Sequence, residues 1–454
     1  MLKEISIEKI VNGGEGMGHI DGFPVFVPMS VPGDELEIQL ISKKKSYGRG
    51  IIKKIIKPGE ERIDFPKFTE EDFHGCNFAM LSYEAQLKYK MLLVSDVMKK
   101  IGGVSDAYIL PIIGSDKEIN YRNKVIEPFA YGQNGEIITG MFKRRSHEIF
   151  QIDKNMLSSD LSNEVINKVK KILNKNKNIS VYNEKFHKGI LRHIMTRTNS
   201  QNEAMLVLII NAKKIPDEVF ALLKEVYEEM DQVKSVYISL NDKRTNVALG
   251  NSQKHLFGQR TLQENIKGID FSISPTSFFQ INLEQTKKLY EVGISYFNNI
   301  QDKCIVDAFA GIGTIGMILS KEAKQVYSME IVEKTVADGL RTAKRNNITN
   351  VEFICGDVNR KIQELMKDEK TIDAVIFDPP RKGIEEETLR TLSSHKIEEL
   401  VYISCNPSTF ARDSKILIEE GYVLEKIQPL DLFPQTSHIE LVGKFTLNKS
   451  EVTE

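Results

Sequence analysis

The chain lacks any apolar run of about 18 residues or more, the length a membrane-crossing helix requires. Its opening decapeptide, MLKEISIEKI, also lacks the apolar core of a secretory signal, so the expected location is the cytoplasm. Cysteine is scarce. The four present, Cys76, Cys304, Cys355 and Cys405, form no CxxC pair. In a reducing compartment this excludes a disulfide framework, and each cysteine needs its own explanation. No low-complexity tract interrupts the 454 residues, and a composition of 41% hydrophobic and 28% charged residues is that of an ordered protein. The length implies two or three domains.

Net charge is nearly absent as well, at −1. That argues against a protein wrapped in nucleic acid, but placement matters more than the sum. Residues 41–57 carry Lys43, Lys44, Lys45, Arg49, Lys53, Lys54 and Lys57 without one acid, and Lys143, Arg144 and Arg145 form a second knot. Glu60, Glu61, Asp64, Glu70, Glu71 and Asp72 then restore neutrality. Such a face can meet RNA phosphates or can be a solvated strand pair, and both readings stand.

The first 57 residues read as a small β-barrel. Short strand-like runs at 3–10, 24–27, 35–41 and 50–56 are separated by the turns Asn12-Gly13-Gly14, Asp21-Gly22 and Pro32-Gly33-Asp34, and Pro58-Gly59 ends the module. Residues 58–270 read as an α+β domain. It has a helix at 82–101, helical patterns at 162–173 and 217–230, and strand-like runs at 123–129, 137–142, 192–198, 203–210 and 236–240. No chemistry is evident there, so substrate binding is its natural role. In the last part, 271–454, strands at 304–308, 325–330, 351–355, 374–378 and 400–404 alternate with helices at 315–320, 333–347 and 386–394. This is the rhythm of an α/β, doubly wound, Rossmann-like sheet, whose ligands belong at the carboxyl ends of the strands.

There the chemistry-bearing residues gather. Gly311, Gly313 and Gly316 match GxGxxG between a strand and a helix, where glycine lets the backbone turn sharply and a ligand come close. The next strand ends at Glu330, an acid suited to a ribose hydroxyl; it would serve a nicotinamide or an S-adenosylmethionine enzyme equally. Asp357 after the third strand and Asp378-Pro379-Pro380 after the fourth favour the methyl donor, although Asp357 can also be a solvated loop acid. The two prolines stiffen the exit that carries Asp378. Methyltransferases acting on exocyclic amines place an aromatic residue after such a motif. Here Arg381 stands instead, suited to an RNA phosphate or a surface ion pair.

Another activating group is then required, and Ser404-Cys405-Asn406-Pro407 supplies one. Asn406-Pro407 forces the chain out of the sheet and leaves Cys405 at a strand end, whereas Cys304 and Cys355 read as small buried residues in apolar strands. Carbon 5 of uracil is a poor nucleophile until a thiolate adds at carbon 6. A free thiol titrates near ~8.5, so the site must favour the thiolate or deprotonate the thiol during attack. A base must later remove the carbon 5 proton. Glu440 is the leading candidate, with His438 the alternative.

Together these segments resemble the RNA uracil-5-methyltransferase family over essentially the whole chain. The N-terminal module, with Val27-Pro28 and Val31-Pro32-Gly33-Asp34, is similar to a TRAM domain, and Ser82-Tyr83-Glu84-Ala85-Gln86-Leu87 to a recurrent family string. Residues 274–282 match the segment whose glutamine meets the cofactor, which assigns that role to Gln280. Phe309, Glu330 and Asp378 fall on further cofactor positions beside Gly311, and Asp357 on one seen in some members. Residues 404–407 match the nucleophile motif and 433–440 the base motif.

The resemblance implies a TRAM barrel, a central RNA-binding domain and a catalytic domain that methylates a flipped-out uridine. S-adenosyl-L-methionine is the implied cofactor and RNA the implied partner. TRAM is typical of the 23S ribosomal-RNA branch. Many members of that branch hold an iron–sulfur cluster on four cysteines. Here only Cys76 stands between Asp64 and Tyr83, Phe73 occupies a neighbouring ligand position, and no cysteine lies near Asn155. One thiolate cannot hold such a cluster, so none is expected, and the chain is read as a monomer. Rival readings are a non-catalytic RNA-binding factor, disfavoured by the intact Gln280, Glu330, Asp378, Cys405 and Glu440 set, and a nicotinamide oxidoreductase.

Overall fold

The computed structural model describes residues 2–63, 75–143, 148–176 and 178–448. Asp64, Glu70, Glu71, Asp72, Phe73, Arg144 and Arg145 lie outside them. The described residues form two compact units: one of 2–63, 75–118 and 284–448, the other of 119–283. The expected borders at 57/58 and 270/271 differ from this division. The N-terminal module and the α/β sheet share one unit.

The N-terminal module is a six-stranded sheet of β1 (Leu2–Ser6), β2 (Lys9–Ile10), β3 (Gly16–Ile20), β4 (Phe23–Val27), β5 (Glu35–Lys43) and β6 (Gly48–Lys57), in the order β1-β5-β6-β4-β3-β2. Alternation turns Ile5, Ile7, Val25, Val27, Leu36 and Ile38 into its core. The glycine-rich β3 lacks an apolar stripe and gave no sequence signal. Asp34 closes the module: its buried carboxylate accepts from Val31 N (2.7 Å), Gly59 N (2.9 Å) and the Arg62 guanidinium (2.6 Å). Pro58-Gly59 is therefore bound to the module rather than released from it. In the basic run Arg49 pairs with Glu15 and Lys57 with Glu35, while Lys45, Lys53 and Lys54 are exposed and form no ion pair among the described residues.

Helix α1 (Tyr83–Val97) begins at the Ser82 cap, whose hydroxyl accepts from Ala85 N at 3.2 Å. It continues as one π-turn over Met98–Gly102 and stops at Gly103, φ +66°. The second unit follows, with β7 (Lys124–Tyr131), β8 (Ile137–Phe142), β9 (Ile149–Gln151), α2 (Asp160–Asn176), β10 (Leu191–Thr198), β11 (Ala204–Ile210), α3 (Asp217–Glu229), β12 (Val233–Leu240) and β13 (Ser252–Gly258). Its seven strands run β13-β12-β11-β10-β7-β8-β9, and apolar residues of α2 and α3 cover one face. The hairpin β14 (Leu262–Ile266) and β15 (Ile269–Ile273) ends it.

The first unit resumes with α4 (Leu283–Ser295), β16 (Cys304–Ala308), α5 (Thr314–Leu319), β17 (Gln325–Glu330), α6 (Glu333–Arg345), β18 (Val351–Cys355), α7 (Val358–Lys367), β19 (Ala374–Phe377), α8 (Glu386–Ser394), β20 (Glu399–Ser404), α9 (Pro407–Glu419), β21 (Tyr422–Leu430) and β22 (Glu440–Leu447). The sheet order is β18-β17-β16-β19-β20-β22-β21. Five neighbouring strands are parallel and β22 runs antiparallel to β20. This is the Rossmann-like doubly wound fold expected. Helices on both faces explain the unbroken apolar runs of its central strands.

Three polar bridges tie the start of α1 to the loop 431–439. The Lys90 ammonium, fully buried, donates to Asp431 Oδ1 at 2.6 Å and to the Phe433 carbonyl at 3.2 Å. Gln86 exchanges two hydrogen bonds with Gln435, at 2.9 and 2.8 Å. Asn77 does the same with Ser437, both at 2.9 Å. Burial drives the Lys90 ammonium below its ordinary range, with Asp431 opposing. Removing one member of a buried pair strands the other. Lys90→Met is accordingly expected to cost about 3–5 kcal/mol in urea unfolding; a loss below about 1 kcal/mol would show the pair to be dispensable.

Candidate active site

The glycine loop between β16 and α5 is shaped by backbone requirements. Gly311 and Gly313 have φ of +57° and +78°, and Phe309 adopts +60°, a conformation a bulky residue holds only when its surroundings impose it. A Cβ at Gly313 would lie 2.5 Å from the Phe353 ring, and one at Gly316 2.3 Å from Ser328 Oγ. Both glycines thus let the loop and the start of α5 pack directly on β17 and β18, whereas a Cβ at Gly311 would meet nothing within 4 Å. Glu330, at the end of β17, anchors it: Oε2 accepts from Gly311 N at 3.0 Å and Oε1 from Val332 N at 2.9 Å.

Asp357 lies exposed at the start of α7 and caps it by accepting from Arg360 N at 3.1 Å. Its position is the solvated one, with lone pairs left for a ligand. Gln280 belongs to the second unit, where its carbonyl accepts from Asn123 Nδ2 at 2.9 Å. The other named residues belong to the first.

Strand order brings the remaining groups together. β16, β19, β20 and β22 are successive neighbours. Their ends carry Ala308 and Phe309, Asp378, Cys405 and Glu440, and Ser404 pairs with Leu441, so Glu440 begins β22 where Cys405 leaves β20. Asn406 caps α9 by accepting from Ser408 N at 3.1 Å, and its Nδ2 donates to the Arg381 carbonyl at 3.1 Å. The cysteine turn and the Asp378-Pro379-Pro380-Arg381 exit are thereby locked to each other.

The electrostatics confirm that these ends converge. Burial pushes the Asp378 carboxyl up to about 6 and Asp307, at the base of the glycine loop, to about 7, the latter with help from Asp378 and Glu330. Glu440 is buried and stands well above the carboxylate range because of burial and the charge of Asp378, with Arg381 opposing. Burial, Glu440 and Asp378 raise the Cys405 thiol to about 11, and Arg381 lowers it. Glu440 and Asp378 make no hydrogen bonds through their carboxylates among the described residues. The site can therefore hold protons near neutrality, and it contains a half-buried thiol beside a carboxyl with high proton affinity.

His438 is exposed, edge-on to Phe433 at 5.9 Å between ring centroids. Cys76 and Cys304 are buried, but Cys355 is exposed, contrary to the buried position expected. β18 is an edge strand, and its last residue meets solvent. No group of three or more metal-ligating side chains occurs among the described residues. The sequence reading gave no role to Asp307, although a carboxylate inside an apolar strand just before a glycine turn was the available signal. It assigned nothing to Lys90 or Asp431, which 341 positions of sequence separate.

A model of the tRNA (uracil-5-)-methyltransferase family matches residues 82–448, and a TRAM-domain model residues 3–53. The chain belongs to the tRNA (uracil-5-)-methyltransferase family. It is an RNA (uracil-5-)-methyltransferase with an N-terminal TRAM domain. An uncharacterized RNA methyltransferase of Fusobacterium nucleatum is 56% identical over 440 residues, covering 97% of this chain and 94% of that one. One from Halalkalibacterium halodurans is 36% identical over 445 residues, 98% and 96% of the two chains. Among solved structures, the Pyrococcus abyssi tRNA (uracil-54, C5)-methyltransferase in complex with S-adenosyl-L-homocysteine superposes with a TM-score of 0.77. Sequence identity is 27%, with 97% of this chain and all of that one covered. No helix among the described residues is long and apolar enough to cross a membrane.

Asp307 gives a pH test of the uracil-methyltransferase site. Its carboxyl moves from an ordinary 3.8 in the unfolded chain to about 7 in the fold, so the folded protein holds the proton more tightly. That contribution is complete below pH ~4 and is lost as pH rises to about 7. Asp307→Asn should flatten the decline of unfolding free energy across this window; an unchanged slope would refute the assignment.

Proposed function

We propose that this protein methylates carbon 5 of a uridine in RNA through a covalent bond from Cys405 to carbon 6, with Glu440 as the general base. The observation that carries the reading is the meeting of β20 and β22, which sets the thiol and the carboxyl side by side. S-adenosyl-L-methionine is the methyl donor and supplies the electrophilic methyl group. Phe309, Gly311, Glu330, Asp357 and Asp378 of the first unit would hold it, and the resemblance assigns a cofactor contact to Gln280. The fit rests on the open space at Gly311, where a Cβ would meet nothing within 4 Å, and on the Glu330 carboxylate available to ribose hydroxyls.

Cys405 releases its proton to solvent as its sulfur adds to carbon 6, and the electron pair of the 5,6 double bond moves onto the ring as an enolate. Arg381 offsets the acids around the thiol and favours its anion. After carbon 5 is methylated, Glu440 takes the carbon 5 proton, the double bond re-forms and the thiolate leaves. Glu440 acts there as the carboxylate, so it must first give up the proton that burial and Asp378 favour, a loss that Arg381 assists. Reaching both faces of the ring requires the uridine to be flipped out.

The RNA is read as 23S ribosomal RNA. The TRAM match and the unpaired Lys45, Lys53 and Lys54 of β6 and its turn support a phosphate-binding module. Transfer RNA is the second reading, favoured by the likeness over the full length to the Pyrococcus enzyme. The central domain is taken to grip RNA as well, and the protein to be a cytoplasmic monomer without an iron–sulfur cluster.

Cys405→Ala should lower methylation at least ~10³-fold while leaving S-adenosylmethionine affinity within about twofold. Glu440→Gln should accumulate a protein–RNA adduct stable to denaturing electrophoresis. Turnover by either variant at the wild-type rate would defeat the mechanism. Mapping 5-methyluridine in ribosomal and transfer RNA from a strain lacking the protein decides between the substrates.

A further inference from the structure

In the second unit, Arg197 on β10 and Lys124 on β7 are direct cross-strand partners. Like charges in this position repel, and the repulsion grows as water is removed. Arg197 is only 2% exposed and Lys124 is half-buried. Elsewhere the chain compensates its buried cations. Lys90 faces Asp431 and Lys444 faces Glu425, at 2.6 and 3.3 Å. Arg192 lies over the Tyr182 ring at 4.5 Å and donates to the carbonyls of Asn241, Lys243 and Thr245.

Arg197 and Lys124 have no such arrangement. Arg197 donates from Nη2 to the Ser277 carbonyl, and among the described residues its buried Nε has no partner and neither cation meets an acid. Glu127 lies on the opposite face of β7 by strand alternation. Glu264 is engaged by Ser200 N and Oγ, and Glu203 by Asn199 Nδ2. Burial together with Arg197 pushes the Lys124 ammonium down to about 8, the response of a cation left without its counter-charge.

The pair is also held in a meaningful place. Asn123, the residue before Lys124, donates from N to the Ile281 carbonyl and from Nδ2 to the Gln280 carbonyl, both at 2.9 Å. Ser277, which anchors Arg197, precedes Gln280 by three residues. The two cations therefore underlie the segment to which the proposed function assigns cofactor contact.

We propose that Lys124 and Arg197 form an oxyanion-binding subsite of the second unit that is filled by a backbone phosphate of the RNA. This deepens the proposed function and rests on it. Two adjacent donors match two oxygens of one anion, and the anion supplies the charge the fold omits. A site shaped for a ligand in this way should be a liability when empty.

The test uses the full-length protein, with binding of S-adenosylmethionine and of a ribosomal-RNA transcript that the wild type methylates, each measured at several salt concentrations. Lys124→Met is expected to raise the melting temperature by ~2 °C or more and to weaken RNA binding about tenfold or more, while Lys124→Arg restores the affinity. If RNA is the ligand weakened, its log–log salt slope should fall by about 0.7–0.9 and the anion is a phosphate. A loss of S-adenosylmethionine affinity with RNA affinity unchanged overturns the phosphate subsite. Affinities within twofold of wild type for both ligands overturn the subsite, as does a loss that comes with a lowered melting temperature and is not repaired by Lys124→Arg. A wild type that binds or methylates no RNA condemns the functional reading itself, and that result is obtained before any variant is compared.

Discussion

The last strand of the α/β sheet enters antiparallel to β20, and the candidate chemistry depends on that reversal. Parallel strands deliver only their final residues to the ligand edge. An antiparallel neighbour delivers its first residue to the same edge, so Glu440 arrives beside Cys405 without either strand bending. Had β22 run parallel, the carboxyl would stand at the opposite end of the sheet. β21 pairs antiparallel with β22 and closes this edge.

A second constraint is the poor hydration of that edge. Asp307, Asp378 and Glu440 all favour their protonated forms because burial penalises their charges, and Asp378 links them, adding to the rise of Asp307, Glu440 and Cys405. Asp378 directly follows β19, between the glycine loop of β16 and the cysteine strand β20. The cofactor half and the nucleophile half of the site are thus coupled through one carboxylate, with Arg381 as the offsetting charge. Low hydration strengthens each of these interactions, a general property of sites that move protons.

The loop before Glu440 is held from outside the sheet. Lys90, Gln86 and Asn77 grip residues 431–437, and the N-terminal module reaches the same region. Asn12 Nδ2 donates to Ser408 Oγ at 2.9 Å and the Gly13 carbonyl accepts from Asn77 Nδ2 at 3.1 Å. A Cβ at Gly14, where φ is +80°, would lie 2.4 Å from Asn77 Nδ2. The sequence reading marked Asn12-Gly13-Gly14 as a turn, and the fold gives that turn a face of its own: it lies between the starts of the two segments that carry the thiol and the carboxyl.

How much of this was legible follows from the range of each signal. Strand–loop–helix alternation, the glycine turn of 311–316 and the strand exits at Asp378 and Cys405 are local patterns, and the structure places β16 to β20 within a residue or two of their expected bounds. Asp357 as a helix cap and the bulky left-handed Phe309 required backbone geometry. The antiparallel β22, the buried Lys90–Asp431 pair across 341 positions, and the juxtaposition of Lys124 with Arg197 had no local signature. Pairing register and desolvation arise only when distant segments share one interior. The residue types and their order determined which chemistry the chain can carry. Only the tertiary structure decided which charges lose their water, because burial is a property of neighbours in space and not of neighbours in the chain.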